Sequence, residues 1–238
     1  MKWWRILILA VAFGLATALL STDGPRQVNE RAVAIVTLPC ETRLQSTSSG
    51  FVINDETVVT VAHALYESRD FAVRDTAGDW HDATILFMDL ERDLALLSVP
   101  GLRADRAAMG IAEPEDSVRM LAGAASGTEN GEVLRRVRIT TEVIGDFDLE
   151  AQRSGYELSV EVASGDSGAG VIDDQDRLVG LIFARSRVGN AAWATSSAEI
   201  RAVEQRRGVP HWDCAADLEA KLFLEPQEST ELPGPVVN

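Results

Sequence analysis

Three residues of the sequence have the types and the order that acyl-transfer chemistry requires: His63, Asp93 and Ser167. They occur in the contexts TVVTVAHAL, ERDLALLSV and ASGDSGAG. A serine hydroxyl is a weak nucleophile at neutral pH, and it attacks a carbonyl carbon only when an imidazole takes its proton. A carboxylate that fixes the tautomer of that imidazole completes the set. The pattern predicts Ser167 as nucleophile, His63 as general base and Asp93 as the residue that orients the base.

The residues next to the serine fit the same chemistry. Small residues on both sides of Ser167 let a substrate carbonyl approach closely. The backbone N–H groups of Gly165 and Ser167 could converge as an oxyanion hole. An α/β-hydrolase nucleophile elbow would need Gly-x-Ser-x-Gly, and Ala169 occupies the last glycine position of that pattern. The α/β-hydrolase reading is therefore excluded.

Two other acids, Asp82 and Asp89, compete with Asp93 for the role of the orienting carboxylate. Asp93 immediately precedes the apolar residues 94–97, and a strand there would bury the carboxylate near the site. We therefore expect Asp93 to be the partner of His63.

Three longer stretches resemble the His, Asp and Ser motifs of the chymotrypsin-like (trypsin-fold) serine peptidases: GFVINDETVVTVAHAL, DLALLSV and SGDSGAGVI. His63 and Asp93 are separated by 30 residues and Asp93 and Ser167 by 74, similar to short bacterial members without a PDZ domain. The resemblance covers roughly residues 30 to 205. It implies an all-β fold of two antiparallel six-stranded β-barrels, an active site in the cleft between them, and serine endopeptidase activity on protein or peptide substrates.

Asp166 departs from what the resemblance implies. In the digestive members of the family this acid pairs with a new N-terminus, released at a site like Ile-Val-Gly-Gly. The nearest sequence here is Arg-Ala-Val-Ala at residues 31–34. Asp166 must therefore find another partner or remain solvated, and the oxyanion loop could be set by substrate or partner binding instead.

The resemblance places the primary substrate pocket just before Ser167 and along Phe183, Ala184 and Arg185. Glu161 lies six positions before the nucleophile, where it would select a basic side chain or stand as a surface acid. Arg185 would oppose that charge or narrow the entrance. Preferences for basic residues and for small or apolar residues therefore both remain open.

Short apolar runs rich in Val, Ile and Thr, broken by turn residues, predict strands along most of the chain. The candidates are residues 32–38, 50–54, 57–61, 83–87, 94–99, 118–121, 133–141, 156–162, 170–172, 178–183 and 191–195. Many short strands without helical periodicity are typical of sandwiches and barrels. We expect residues 32–207 to form the protease domain.

Within that domain, the first barrel is expected at about 32–100 and carries His63 and Asp93. The second, at about 117–196, carries Ser167. A C-terminal helix over 197–207 would follow, capped by Ser196 or Ser197, with an acid early and arginines late as the helix dipole favours. We expect an extension over 208–225, containing a second short helix around 215–223, and a flexible tail over 226–238.

The N-terminus has the plan of a secretory signal. Lys2 and Arg5 precede an uncharged apolar run over residues 6–20, shorter than the ~20 residues of a comfortable span. Trp3 and Trp4 could anchor it at an interface. Residues 1–21 are therefore a signal peptide or an uncleaved signal anchor, and a polar linker follows over 22–31. Both readings place the catalytic part outside the cytoplasm, in the periplasm or cell envelope.

The two cysteines, Cys40 and Cys214, stand near the beginning and the end of the predicted folded region. They lack the C-x-x-C spacing of zinc and redox sites. In an oxidising compartment we expect a Cys40–Cys214 disulfide that holds the C-terminal extension. Two buried free thiols are the alternative.

Composition restricts the partners. The formal net charge of −15 argues against nucleic acid and against anionic membrane surfaces as partners, apart from the N-terminal segment.

Besides His63 there are only two histidines, His81 and His211, both in turn-like contexts, so we expect no metal site. No phosphate or dinucleotide loop is present, and no cofactor is expected. Oligomeric state stays open.

Two functions of different classes fit these observations. The first is an exported serine endopeptidase, freely diffusing or tethered and regulated at the membrane. The second is a trypsin-fold binding or sensing module with vestigial or partner-activated catalysis. The intact set of His63, Asp93, Ser167 and Gly165 favours the first.

Overall fold

Two antiparallel sheets and a short C-terminal helix form the computed structural model, which describes residues 28–40, 44–124, 126–186, 191–210 and 214. The first sheet contains β1 (Ala32–Pro39), β2 (Ser46–Asn54), β3 (Thr57–Thr60), β4 (Ser68–Arg74), β5 (Trp80–Asp82), β6 (Thr84–Asp89) and β7 (Leu94–Ser98). The second contains β8 (Ser117–Leu121), β9 (Thr128–Val143), β10 (Asp146–Leu158), β11 (Gly170–Asp173), β12 (Leu178–Arg185) and β13 (Ala192–Ser196). Helix α1 spans Ser197–Val203. The expected all-β architecture is confirmed.

The second sheet is a closed barrel of six strands, in the order β10-β13-β12-β11-β8-β9. The first has seven strands, in the order β5-β4-β1-β2-β3-β7-β6, one more than the six expected. The sequence prediction omits β4 and β5, which lie together at one edge. Only Ser68 and Val73 of β4 are buried and no residue of β5 is, so their sequences SRDFAVR and WHD lack a continuous apolar signal.

The inner strands of the first sheet, such as β7, are apolar on both faces because each face packs against a different core. Along β7, Ala95 and Leu97 point into the interior of the first sheet. Leu94 and Leu96 alternate with them and point toward the second sheet. The cluster on that side, here named the shared core, joins both sheets and α1 through Ala32, Phe51, Ile53, Val59, Val61, Phe87, Leu94, Leu96, Leu121, Ile172, Leu178, Leu181, Ile200 and Val203.

The longest element of the second sheet is the β9–β10 hairpin, which reaches across to the first sheet. Near its tip, Ile144 packs against the interior cluster of the first sheet, as do Tyr66 and Leu90. Gly145 lies so close to Tyr66 that a Cβ added to the glycine would stand 2.7 Å from the tyrosine hydroxyl. The two sheets therefore meet at the hairpin tip as well as in the shared core.

Helix α1 is shorter than the predicted 197–207. It ends at Val203, because only Ile200 and Val203 reach the shared core, and the following residues turn so that Gly208 bridges to Phe87. Ser196 is at the N-cap, but its hydroxyl hydrogen-bonds the hydroxyl of Ser154 at 2.6 Å instead of capping a helix N–H.

The expected disulfide joins Cys40 to Cys214, 174 residues apart in sequence. Cys40 is buried at the end of β1, so the bridge attaches the C-terminal part of the chain to the first sheet. The predicted signal or anchor over 1–21, most of the linker, the helix around 215–223 and the tail lie outside the described residues. None of the helices in the described part of the chain is long and apolar enough to cross a membrane.

Candidate active site

His63 and Asp93 face each other at the ends of neighbouring strands. His63 lies in the 3-10 turn Ala62–Ala64 that directly follows β3, and Asp93 ends the turn between β6 and β7. The imidazole Nδ1 is 2.8 Å from Asp93 Oδ2, and the backbone N–H of His63 donates to Oδ1 at 2.9 Å. The His63 side chain is 39% exposed and that of Asp93 only 7%. One imidazole nitrogen thus contacts a buried carboxylate and leaves the other for a substrate.

The two rival acids lie elsewhere. Asp82 is exposed on β5. Asp89 is buried at the end of β6, where Arg92 donates to it from the backbone and from Nη1, both at 2.8 Å. Asp93 itself has a φ of 53°, a left-handed conformation that Asp tolerates better than most residues. The turn therefore places Asp93, and neither competitor, against His63.

Ser167 belongs to the loop between β10 and β11 of the second sheet, yet it borders the same groove as His63. The groove has a volume of about 340 Å³, and Thr37, Gly165 and Tyr66 are among its lining residues. Both sheets contribute to its walls. The structure therefore brings together the predicted base, nucleophile and oxyanion glycine on one solvent-accessible groove.

Close contacts with β2 and β12 fix the backbone around the serine. The carbonyl of Ser167 accepts a hydrogen bond from the N–H of Ser49 at 2.7 Å, and the N–H of Gly168 donates to Ile182 at 2.7 Å. A Cβ at position 168 would stand 1.9 Å from the carbonyl oxygen of Ser49, and its φ is 88°. Only glycine fits there, which explains the glycine after the serine.

Ser49 is a residue that sequence reasoning missed. It is fully buried on β2. Its hydroxyl donates to the carbonyl of Gly165 at 2.9 Å and accepts from the N–H of Gly123 at 3.1 Å. A single side chain of the first sheet therefore ties the predicted oxyanion glycine to a second loop. A lone serine beside GFVI carries no sequence signal for such a role.

Asp166 has partners other than a chain terminus. Its side chain is fully buried. One carboxylate oxygen accepts from the N–H of Ser126 at 3.1 Å, and the other accepts from the Ser126 hydroxyl at 2.5 Å and the N–H of Ala163 at 2.7 Å. These contacts, here named the Ser126–Asp166 latch, join the loop before Ser167 to the loop between β8 and β9. The Asp166 carboxylate, for which the sequence suggested no partner, thus accepts three hydrogen bonds from uncharged donors.

Arg153 is the second residue that the sequence did not disclose. It is 3% exposed on β10, with Nη2 at 3.7 Å from Asp93 Oδ2. Burial lowers the pKa of Arg153, and the neighbouring charges of Asp93, Glu199 and Asp89 oppose that shift. No sequence motif identifies Arg153, because its position near Asp93 depends on how β10 pairs with its neighbouring strands.

The residues predicted for the primary pocket are dispersed. Glu161 and Arg185 are exposed, and Phe183 and Ala184 are half-buried. None of the four lines the groove that contains His63 and Ser167. One face of Phe183 is covered by the guanidinium of Arg153, 4.3 Å from the ring centre. The pocket assignment stays a prediction. Over the described residues, no three His, Cys, Asp or Glu side chains cluster as metal ligands.

Two known proteins are similar to this chain in sequence. Serine protease Rv3671c of Mycobacterium tuberculosis H37Rv and Serine protease MT3772 of strain CDC 1551 are each 30% identical to the chain over 152 residues. The match covers 60% of this chain, but the chain spans only 37% of the length of these curated relatives.

Solved structures agree in fold. The active form of the Rv3671c protease superposes with a TM-score of 0.71 at 21% identity, covering 78% of this chain and 86% of that one. An HtrA-type protease, AlgW with a tripeptide, gives 0.62 at 16% identity over 74% of this chain and 60% of that one. The sequence profile of the trypsin-like peptidase domain matches residues 48–181, more than half of the chain. The protein is therefore a member of the trypsin-like peptidase domain family.

Proposed function

We propose that the chain is a serine endopeptidase whose catalytic domain spans residues 32–207. The observation that carries this proposal is the groove shared by the two sheets, which is lined by both His63 and Ser167, with Asp93 buried against His63. General base, orienting carboxylate, nucleophile and N–H donors are the minimum set for peptide-bond hydrolysis through an acyl-enzyme.

The proposed reaction begins when Ser167 Oγ attacks the scissile carbonyl carbon while His63 Nε2 takes the hydroxyl proton. Asp93 accepts from Nδ1–H and stabilises the imidazolium that forms. The N–H groups of Gly165 and Ser167 donate to the oxyanion. As the C–N bond breaks, His63 returns the proton to the leaving amine. Water, activated by the same imidazole, then hydrolyses the acyl-enzyme and regenerates Ser167.

Export is the second part of the proposal. Disulfides persist in oxidising compartments, so the Cys40–Cys214 bridge supports a location outside the cytoplasm. The charged and apolar N-terminal segment supports the same location, as a cleaved signal or as an anchor in the cell envelope. The substrates would then be proteins or peptides of that compartment.

The experiment that tests the activity is labelling of the full chain with a fluorophosphonate probe, read by intact mass. Ser167→Ala and His63→Ala are run in parallel. A single adduct that disappears in both variants is the expected result. A folded, disulfide-intact protein that takes up no probe would contradict the proposal and favour a binding module or a partner-activated enzyme.

A further inference from the structure

A buried cation stands directly behind the proposed orienting carboxylate. Arg153 Nη2 lies 3.7 Å from Asp93 Oδ2, the same oxygen that faces His63 Nδ1 at 2.8 Å. Both side chains are at least nine-tenths buried. Asp93 therefore lies between an imidazole on its solvent side and a guanidinium on its protein side.

The guanidinium is positioned by contacts other than a direct hydrogen bond to that carboxylate. Its plane lies over the ring of Phe183, 4.3 Å from the ring centre. Nη1 donates weakly to the carbonyl of Glu91 at 3.5 Å, and Nε is buried without a hydrogen-bond partner. A buried donor that remains unsatisfied costs free energy. Arg153 therefore occupies an energetically unfavourable position, and Asp93 is the nearest acidic side chain to it among the described residues.

The other charges around Arg153 come from the ends of β6 and from α1. Asp89 and Glu199 attract its guanidinium from a greater distance. Both acids are already paired with Arg92, at 2.8 and 3.1 Å. Arg206 approaches Asp89 at 3.7 Å. Because those acids are shared with other cations, Asp93 is the carboxylate on which the charge of Arg153 acts most directly.

We propose that Arg153 is a positioning residue of the peptidase site, which holds the Asp93 carboxylate in place and offsets part of its charge. This inference rests on the proposed function for its catalytic meaning, but the contact itself does not depend on activity. An unopposed buried carboxylate would stabilise the His63 imidazolium strongly. The Arg153 cation offsets part of the Asp93 charge on the side away from His63, so the field that Asp93 exerts on the imidazole is weaker.

Arg153→Met tests the charge, because methionine keeps an apolar stem against Phe183 and removes the cation. The titration of the His63 imidazole is followed by NMR in the full chain, with His63→Ala to assign the signal among the three histidines. We expect the midpoint of the titration to move to higher pH, by about one unit for the loss of a neighbouring charge. Arg153→Lys, which retains the charge, should leave the midpoint near that of the unsubstituted protein.

Arg138→Met is the matched control, because this arginine is exposed on β9 in the same hairpin. It should leave the titration unchanged. A midpoint in folded Arg153→Met within about 0.2 units of the unsubstituted protein would overturn the inference, because the charge of Arg153 would then have no measurable effect on the imidazole. If Arg153→Met fails to fold, as judged by thermal unfolding, Arg153→Gln replaces it and the same two outcomes apply.

The rate of fluorophosphonate labelling against pH separates this inference from the proposed function. In an active enzyme, the acid limb of the Arg153→Met profile should move with the NMR midpoint. An unsubstituted protein that takes up no probe refutes the proposed activity, while the NMR titration still decides the role of Arg153. If the unsubstituted protein is labelled and Arg153→Met has the same pH profile of labelling, the inference about Arg153 is refuted and the proposed activity stands.

Discussion

Asp93 is buried and has a left-handed backbone conformation, and its carboxylate contacts His63 through two hydrogen bonds. The backbone bond fixes where the turn ends, and the Nδ1 contact fixes the tautomer of the imidazole. Asparagine would keep the size of the side chain, but its amide could donate to Nδ1 and so stabilise the wrong tautomer.

Asp93→Asn should therefore slow fluorophosphonate labelling of Ser167 about a thousandfold or more, the scale of losing the orienting carboxylate. The rate is measured by intact mass over time, with thermal unfolding to verify the fold. Asp82→Asn is the control, because Asp82 is exposed on β5 and should label within about twofold of the unsubstituted protein, as surface changes usually do. Equal losses in both variants would contradict the assignment.

The Ser126–Asp166 latch permits a second test at this scale. Ser126→Ala removes the hydroxyl that donates to Asp166 and leaves the two backbone donors. We expect labelling to slow about tenfold and stability to fall by about 1 kcal/mol, the typical net value of one hydrogen bond. Thermal unfolding and labelling rates are the measurements.

Ser126→Thr retains the hydroxyl and should restore most of the rate. Removal of residues 1–27 examines the opposite explanation, in which a chain terminus activates the site. Because the donors to Asp166 are Ser126 and Ala163, that truncation should leave the labelling rate unchanged. A truncated protein that loses labelling, together with an unaffected Ser126→Ala, would show that the latch does not set the oxyanion loop.

Among the elements, the β9–β10 hairpin forms an additional contact between the sheets beside the groove. Gly145→Ala combines a positive φ of 79° with a contact of 2.7 Å to Tyr66, which lines the groove. Gly78→Ala has a comparable φ of 93° and open space around it. We expect Gly145→Ala to be less stable than Gly78→Ala by about 1 kcal/mol or more, the scale of overpacking a close contact.

Chemical denaturation measures that difference, and the labelling rate measures its effect on the groove. The rate should decrease in Gly145→Ala and remain unchanged in Gly78→Ala. Equal stability of the two variants would mean that the hairpin moves away from Tyr66 at no cost.

Sequence patterns predict an element well where one periodicity dominates its residues. Strand β7 is an example, since LALL is apolar throughout and two different cores bury its two faces. Strand β4 and the end of α1 are harder to predict, because their positions depend on pairing and packing with distant residues. Arg153 and Ser49 belong to the same class. Their roles depend on strand pairing, which the local spacing of residue types does not predict.

For the whole molecule, the disulfide is the covalent link between the two ends of the folded region. The bridge closes a loop of 174 residues and so lowers the conformational entropy of the unfolded chain. In the chain-entropy model this raises the free energy of unfolding by up to about 5 kcal/mol. We expect reductant, or the double variant Cys40→Ser with Cys214→Ser, to lower the midpoint of denaturant unfolding.

The unfolding curves are recorded with and without reductant. The double variant is its own control, because its midpoint should no longer respond to reductant. A midpoint of the unsubstituted protein that does not change on full reduction, verified by thiol counting, would contradict a stabilising role of the bridge.

The division of the site between the sheets has a consequence for the life of the molecule. His63 and Asp93 belong to the first half of the chain and Ser167 to the second, and the shared core is what sets one against the other. Neither half holds an activated nucleophile, so a nascent or partly unfolded copy of the proposed enzyme is chemically inert. In the proposed enzyme, reactivity would arise only after both halves of the chain have folded and docked.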